Sequence, residues 1–170
     1  MVVSGPIGNH GMAVMSVREG LEFETTIASD TAALPPLVDL LMETSEDVRA
    51  LRDPTRGGVA SALNELAVAS DVGIVLEEAL MPVDDAVRAA CELLGMDPMY
   101  VANEGKLVAI VESEMAEGLV AKLRAHPLGR GAAVVGKVTR ENPGLVAMRT
   151  AYGATRVVDT QVGEQLPRIC

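Results

Sequence analysis

Apolar positions change period several times along the chain, and each change marks an element. "MVVSG" reads as the end of a strand or linker running into a glycine-rich loop. Met12, Met15 and, less regularly, Val14 and Val17 then form one side of a helix that Gly20 stops. "LEFETT" alternates as a short strand does. In "LPPLVDLLMETS" a proline pair opens a helix with Leu37, Leu40 and Leu41 on one face. "VRAL" predicts a strand, "DPTRGG" a loop, and Val59, Leu63, Leu66 and Ala67 the apolar stripe of a helix. "GIVLE" is a buried strand. In "VDDAVRAACELLG", Asp84 is the expected N-cap, Gly95 the C-cap, and Val87, Ala90, Cys91 and Leu94 the shared face. "KLVAIVE" predicts a strand and "SEMAEGLVAKLRAH" a helix with a capping-box-like start at Ser113. "AAVVGKVT", "GLVAMRT" and "ATRVVDT" predict three closing strands. Strands joined through helices point to an α+β domain with a mixed sheet. The last stretch, "VGEQLPRIC", has no period and is interrupted by Gly163 and Pro167, so residues 1–162 are expected to form the domain and 163–170 a flexible tail.

At 170 residues the length suits one domain. Hydrophobic residues make up 49% but aromatics only 2%, so the core must be aliphatic. A formal charge of −10 argues against a nucleic-acid partner, which requires clustered Lys and Arg. No polybasic segment, long apolar run or secretory leader is visible, so the expected location is cytoplasmic, without a membrane. Two cysteines, Cys91 and Cys170, make no disulfide framework.

Three segments carry candidate chemistry. In "SGPIGNHGM", Gly5, Gly8 and Gly11 allow sharp turning before a helix start that could meet an anion; a tight strand-to-helix turn explains the same pattern. His10 reads as a hydrogen-bonding residue as readily as a titrating one. In "RDPTRGG", Thr55 can cap the following helix, Gly57 and Gly58 expose its first N–H groups, and Asp53 and Arg56 add a charged pair; phosphate binding and an ordinary capped helix start both fit. In "ANEGKLVAI", Glu104 could be held on the rigid edge of a strand as a general base, or the tetrapeptide could be a hairpin turn. Lys106 beside it reads as solvated. Cys91 lies on an apolar helix face and reads as structural, whereas Cys170 is the terminal residue. No spacing suggests a metal site or a Ser/His/Asp triad.

Taken together and in order, "SGPIGNHGMAV", "RDPTRGGVASALNE", "ANEGKLVAIV" and the terminal "PRIC" resemble the hydrogenase expression/formation protein E family, the carbamoyl dehydratases of NiFe-hydrogenase maturation. The resemblance spans essentially this whole chain but only the C-terminal half of the family protein. The N-terminal half, with most of the ATP site and the dimer interface, is therefore expected to be absent. The wider superfamily of aminoimidazole ribonucleotide synthetases implies a mixed β-sheet between helical layers.

The resemblance also implies an activity. A carbamoyltransferase loads a carbamoyl group onto the C-terminal cysteine. ATP-dependent dehydration, with Mg, then gives a thiocyanate, and the cyano group passes to an iron-carrying hydrogenase maturation complex. By motif position Cys170 is the carrier thiol and Glu104 the base, with Thr55, Arg56, Gly57 and Gly58 toward the nucleotide. The full-length form is expected to be a homodimer, and the isolated domain to be inactive alone. Two other readings stay open: a non-catalytic module that docks maturation partners, and another ATP-dependent synthetase of the superfamily, against which the terminal cysteine argues.

Overall fold

The computed structural model describes residues 1–20, 26–44 and 46–160. Its elements run β1 (Val2–Val3), α1 (Asn9–Arg18), α2 (Pro35–Thr44), β2 (Val48–Arg52), α3 (Gly58–Ala69), β3 (Gly73–Glu77), α4 (Asp85–Leu94), β4 (Val108–Val111), α5 (Ala116–Ala125), β5 (Ala133–Val134), β6 (Gly136–Thr139), β7 (Val146–Arg149) and β8 (Thr155–Val157). The α+β expectation holds, but the strands divide between two four-stranded sheets. One, ordered β2-β4-β1-β5, is antiparallel throughout. The other, β6-β3-β7-β8, is mixed, with β3 and β7 parallel.

The division falls inside "AAVVGKVT", which reads as a single strand by pattern. Val135 separates β5 from β6. Its N–H donates to the Met1 carbonyl at 3.0 Å beside the first sheet, and its carbonyl accepts from Glu77 N–H at 2.9 Å in the second. One buried residue thus hands the chain from sheet to sheet.

Strand alternation fixes the layers. Val2 and its partner Ala109 join Leu37, Leu41, Leu119 and Leu123, so α2 and α5 cover one face of the first sheet. Val3 and its partner Val108 join Val59, Leu63, Ile74, Leu76 and Met148, so the other face meets α3 and the second sheet. A third cluster, with Met12, Val87, Ala90, Cys91 and Val101, packs α1 against α4. The core is aliphatic, as composition demands, and is built from Val, Leu, Ala, Ile and Met.

Local expectations fare unevenly. The proline pair does open α2, and the helical faces of α3 and α4 are buried at Val59, Leu63 and Ala67 and at Val87, Ala90 and Cys91. Val17, however, is 83% exposed: α1 buries Gly11, Met12 and Ala13, and Val17 lies off that face. Asp84 is the N-cap of α4, but its carboxylate accepts from Asn9 Nδ2 at 2.7 Å instead of capping its own helix. Residues Ser113–Met115 form a 3-10 turn, and α5 begins only at Ala116. The strand expected over "LEFETT" and the tail 163–170 lie largely or wholly outside the described residues. No helix among the described residues is long and apolar enough to cross a membrane.

Candidate functional site

The three candidate segments converge on the stretch 99–107 that leads into β4. Asn103, fully buried, is the joint. Its Oδ1 accepts from Gly8 N–H at 2.8 Å, in the glycine-rich segment. Its Nδ2 donates to the carbonyls of Pro54, in "RDPTRGG", and of Val101, each at 3.0 Å. Its backbone N–H also donates to Pro54 at 3.2 Å. One amide side chain of the third segment thus satisfies buried backbone groups of the other two and of Val101 just before its own, each of which would otherwise be costly to bury.

Glycines make the convergence possible. Gly11 N–H donates to the Ala102 carbonyl at 3.0 Å, and a Cβ there would lie 2.5 Å from Val101 Cγ1. Gly58, at φ +62°, would place a Cβ 2.5 Å from the Met99 carbonyl oxygen. Ser4 completes the docking: Leu107 N–H donates to its Oγ at 3.0 Å, and its own N–H donates to the Leu107 carbonyl at 3.0 Å.

The "RDPTRGG" loop departs from its expected chemistry in three ways. Gly57, at φ +74°, is the N-cap of α3, and no side chain caps the helix, so Thr55 does not. The carbonyl of Thr55 accepts from Gly58 N–H at 3.0 Å; Gly58 is buried and its N–H is already used. Asp53 and Arg56 make no ion pair with each other. Arg56 is exposed and, among the described residues, has no hydrogen-bond or ion-pair partner, which leaves its guanidinium open to an anion.

Glu104 follows Asn103 directly and is half-buried. It sits in a bend before β4, not in a hairpin turn. Beyond it the lysine expected to be solvated is buried: Lys106 Nζ pairs with the Asp30 carboxylate, and its stem packs on Gly5. His10 lies in the first turn of α1, with Nδ1 3.0 Å from Ser29 Oγ and 3.1 Å from Thr31 Oγ1. Cys91 is fully buried, and burial, with the Asp97 carboxylate adding to it, pushes its thiol up to about 11. Cys170 lies outside the described residues. Among those described, no group of three or more His, Cys, Asp or Glu could hold a metal ion.

Pattern alone reads Lys106 as solvated and marks neither Asn103 as a joint nor Asp30 as the lysine's partner. An Asn beside an acid in a polar tetrapeptide resembles any turn, and Asp30 is distant in sequence from the lysine it meets.

Residues 1–147 match the family described as AIR synthase related protein, C-terminal domain. The chain belongs to that family. Within it, a carbamoyl dehydratase HypE from Cupriavidus necator is 55% identical over 170 residues, covering all of this chain and 48% of the relative. The crystal structure of a HypE–HypF complex aligns with a TM-score of 0.90 at 46% identity, over 94% of this chain and 52% of that one. A hydrogenase maturation protein HypE in complex with ATP aligns at 0.91 and 43%, over 99% of this chain and 52% of that one. The chain thus spans about half the length of the relatives it matches.

Proposed function

We propose that this chain is the half of an ATP-dependent carbamoyl dehydratase that carries the acceptor thiol and the catalytic base. One observation carries the reading: Asn103 draws the glycine-rich segment, the "RDPTRGG" loop and Glu104 to one place. Similarity along the whole chain to a carbamoyl dehydratase HypE supports it.

The chemistry explains the residue types. A carbamoyl group on Cys170 is a thiocarbamate whose amide oxygen leaves poorly. Transfer of the ATP γ-phosphoryl group to that oxygen makes it a leaving group. Loss of both N–H protons as phosphate departs turns the S–C(=O)NH₂ group into S–C≡N, with ADP and phosphate as the other products. One proton leaves with the phosphate, and the Glu104 carboxylate takes the other. Held beside Asn103 on a fixed loop, Glu104 suits that task, since a base must lie within hydrogen-bond reach of its proton.

ATP fits these residues in part. Arg56 offers a phosphate a guanidinium that is unengaged among the described residues, with Thr55 and Gly57 beside it. Gly58 contributes by lacking a side chain, which lets α3 approach residues 99–101. Lys106 is committed to Asp30 and is not a phosphate ligand. Mg does not fit the described residues, which offer no carboxylate cluster for it, so any Mg would be held by the nucleotide and the other half. Cys170 must visit a carbamoyltransferase, this site and the iron-carrying maturation complex. Eight extended residues from Gly163 would reach roughly 26 to 29 Å. The full-length form is taken to be a homodimer, acting in the cytoplasm.

Glu104→Gln in the full-length protein tests the reading. Loading of Cys170 should survive while dehydration falls by about 10²–10⁴-fold, the scale for loss of a general base. Unchanged dehydration would return Glu104 to a structural turn.

A further inference from the structure

Glu104 is gripped from both sides, and only the Asn103 side has been explained. On the other side the segment Ser29–Ala32 crosses the loop. The Asp30 carbonyl lies so close to Gly105 that a Cβ on the glycine would sit 2.0 Å from it. Ala32 N–H donates to the Glu104 carbonyl over 3.4 Å. The Asp30 carboxylate pairs with Lys106 Nζ, and the two side chains are only 20% and 10% exposed. Neither Asp30 oxygen has a hydrogen-bond donor besides that ammonium among the described residues. On its outer side the segment holds His10 through Ser29 and Thr31, which ties it to α1.

We infer that the buried Asp30–Lys106 ion pair is a latch that clamps Ser29–Ala32 onto the Glu104 loop and thereby positions the Glu104 carboxylate. Asp30 and Lys106 are positioning residues and touch no reacting atom. The physical reason lies in the exchange of costs. Each charge is expensive to bury alone, so the pair survives only in contact, and contact forces the segment onto Gly105. Gly105 has no side chain to hold the segment off, and the lysine stem lies on Gly5, a second residue without one. A base needs placement within a fraction of an ångström, and a small displacement costs rate without disturbing binding elsewhere.

This inference rests on Glu104 being the base, and the experiment separates the two. In the full-length protein, Asp30→Asn, Lys106→Met, the double variant and Glu104→Gln are compared. Three quantities are measured: carbamoyl loading of Cys170, kcat and KM for ATP in dehydration, and hydrogen exchange of the peptides holding Ala32 and Glu104. Each single latch variant should speed exchange in those peptides and lower the dehydration kcat by about 10- to 100-fold. Loading and KM for ATP should not change, whereas general unfolding would lower both loading and ATP use. The double variant should be no worse than either single, because the two residues act as one unit. It also buries no lone charge, so it carries the same test if a single variant fails to fold. Unchanged exchange, faster exchange with wild-type kcat, or a double variant that loses the product of the two single effects would each overturn the latch. Wild-type dehydration by Glu104→Gln would overturn the base and the latch together; an inactive Glu104→Gln beside a fully active Asp30→Asn would overturn the latch alone.

Discussion

Replacing Asn103 by alanine should loosen all three candidate segments at once, and the size of the effect can be worked from its bonds. Three side-chain hydrogen bonds disappear, at 2.8, 3.0 and 3.0 Å, all within a buried site. Each typical bond contributes about 1 kcal/mol net, and a buried partner left unsatisfied costs about 1–3 kcal/mol. Gly8 N–H loses the side-chain acceptor that satisfied it. The Pro54 carbonyl keeps the backbone N–H of residue 103, which softens its loss. The expected destabilisation is about 3–5 kcal/mol, or a fall in Tm of about 6–20 °C for a domain of this size. Urea and thermal unfolding of this chain would measure it. Alanine also leaves a cavity, so Asn103→Asp is the necessary companion. Aspartate keeps the volume and the acceptor for Gly8 but turns both donors into a charged oxygen facing two carbonyls. It should therefore destabilise at least as much as alanine. If Asn103→Asp were neutral while Asn103→Ala cost only about 1 kcal/mol, Asn103 would be filling space and the convergence would have another cause.

Two further outcomes follow from single residues. Cys91 should resist alkylation under native conditions, and because its pKa rises from 9.0 to about 11 on folding, the folded state holds a proton that the unfolded state has lost between those values. Stability should therefore fall as pH rises from about 9, levelling above about 11, by about 2–3 kcal/mol; Cys91→Ala should lack this component when urea titrations are repeated across that range. In the full-length protein, Arg56→Ala should raise KM for ATP by about 10- to 100-fold, the worth of a charged hydrogen bond to phosphate, without moving Tm, because the side chain is exposed.

Much of the framework was legible because period and burial follow one physical rule. β3 was read as "GIVLE" and spans those five residues, and α4 ends at the glycine expected of it. The split at Val135 was not legible: four apolar residues in a row carry no sign of which sheet each will join, and only long-range pairing with Met1 and Glu77 decides it. Glu104, Arg56 and the glycines stand out as candidates because turn chemistry marks them locally. Asn103 and the Asp30–Lys106 pair were missed because their meaning lies in partners about 50 to 95 residues away for Asn103 and 76 for the pair. Burial of Lys106 runs against the usual exposure of lysine, and nothing in its neighbours announces the carboxylate that makes burial tolerable.

In the proposed reaction Cys170 carries the group that Glu104 helps to dehydrate. The most direct measurement is the mass of the C-terminal peptide from the full-length protein, after incubation with the carbamoyltransferase, carbamoyl phosphate and ATP. The expected result is a carbamoyl adduct on Cys170 that converts to a thiocyanate in the wild type, stays as the carbamoyl adduct in Glu104→Gln, and never forms when Cys170 is removed. A carbamoyl adduct that still appears without Cys170, or a thiocyanate that forms at the wild-type rate in Glu104→Gln, would contradict it.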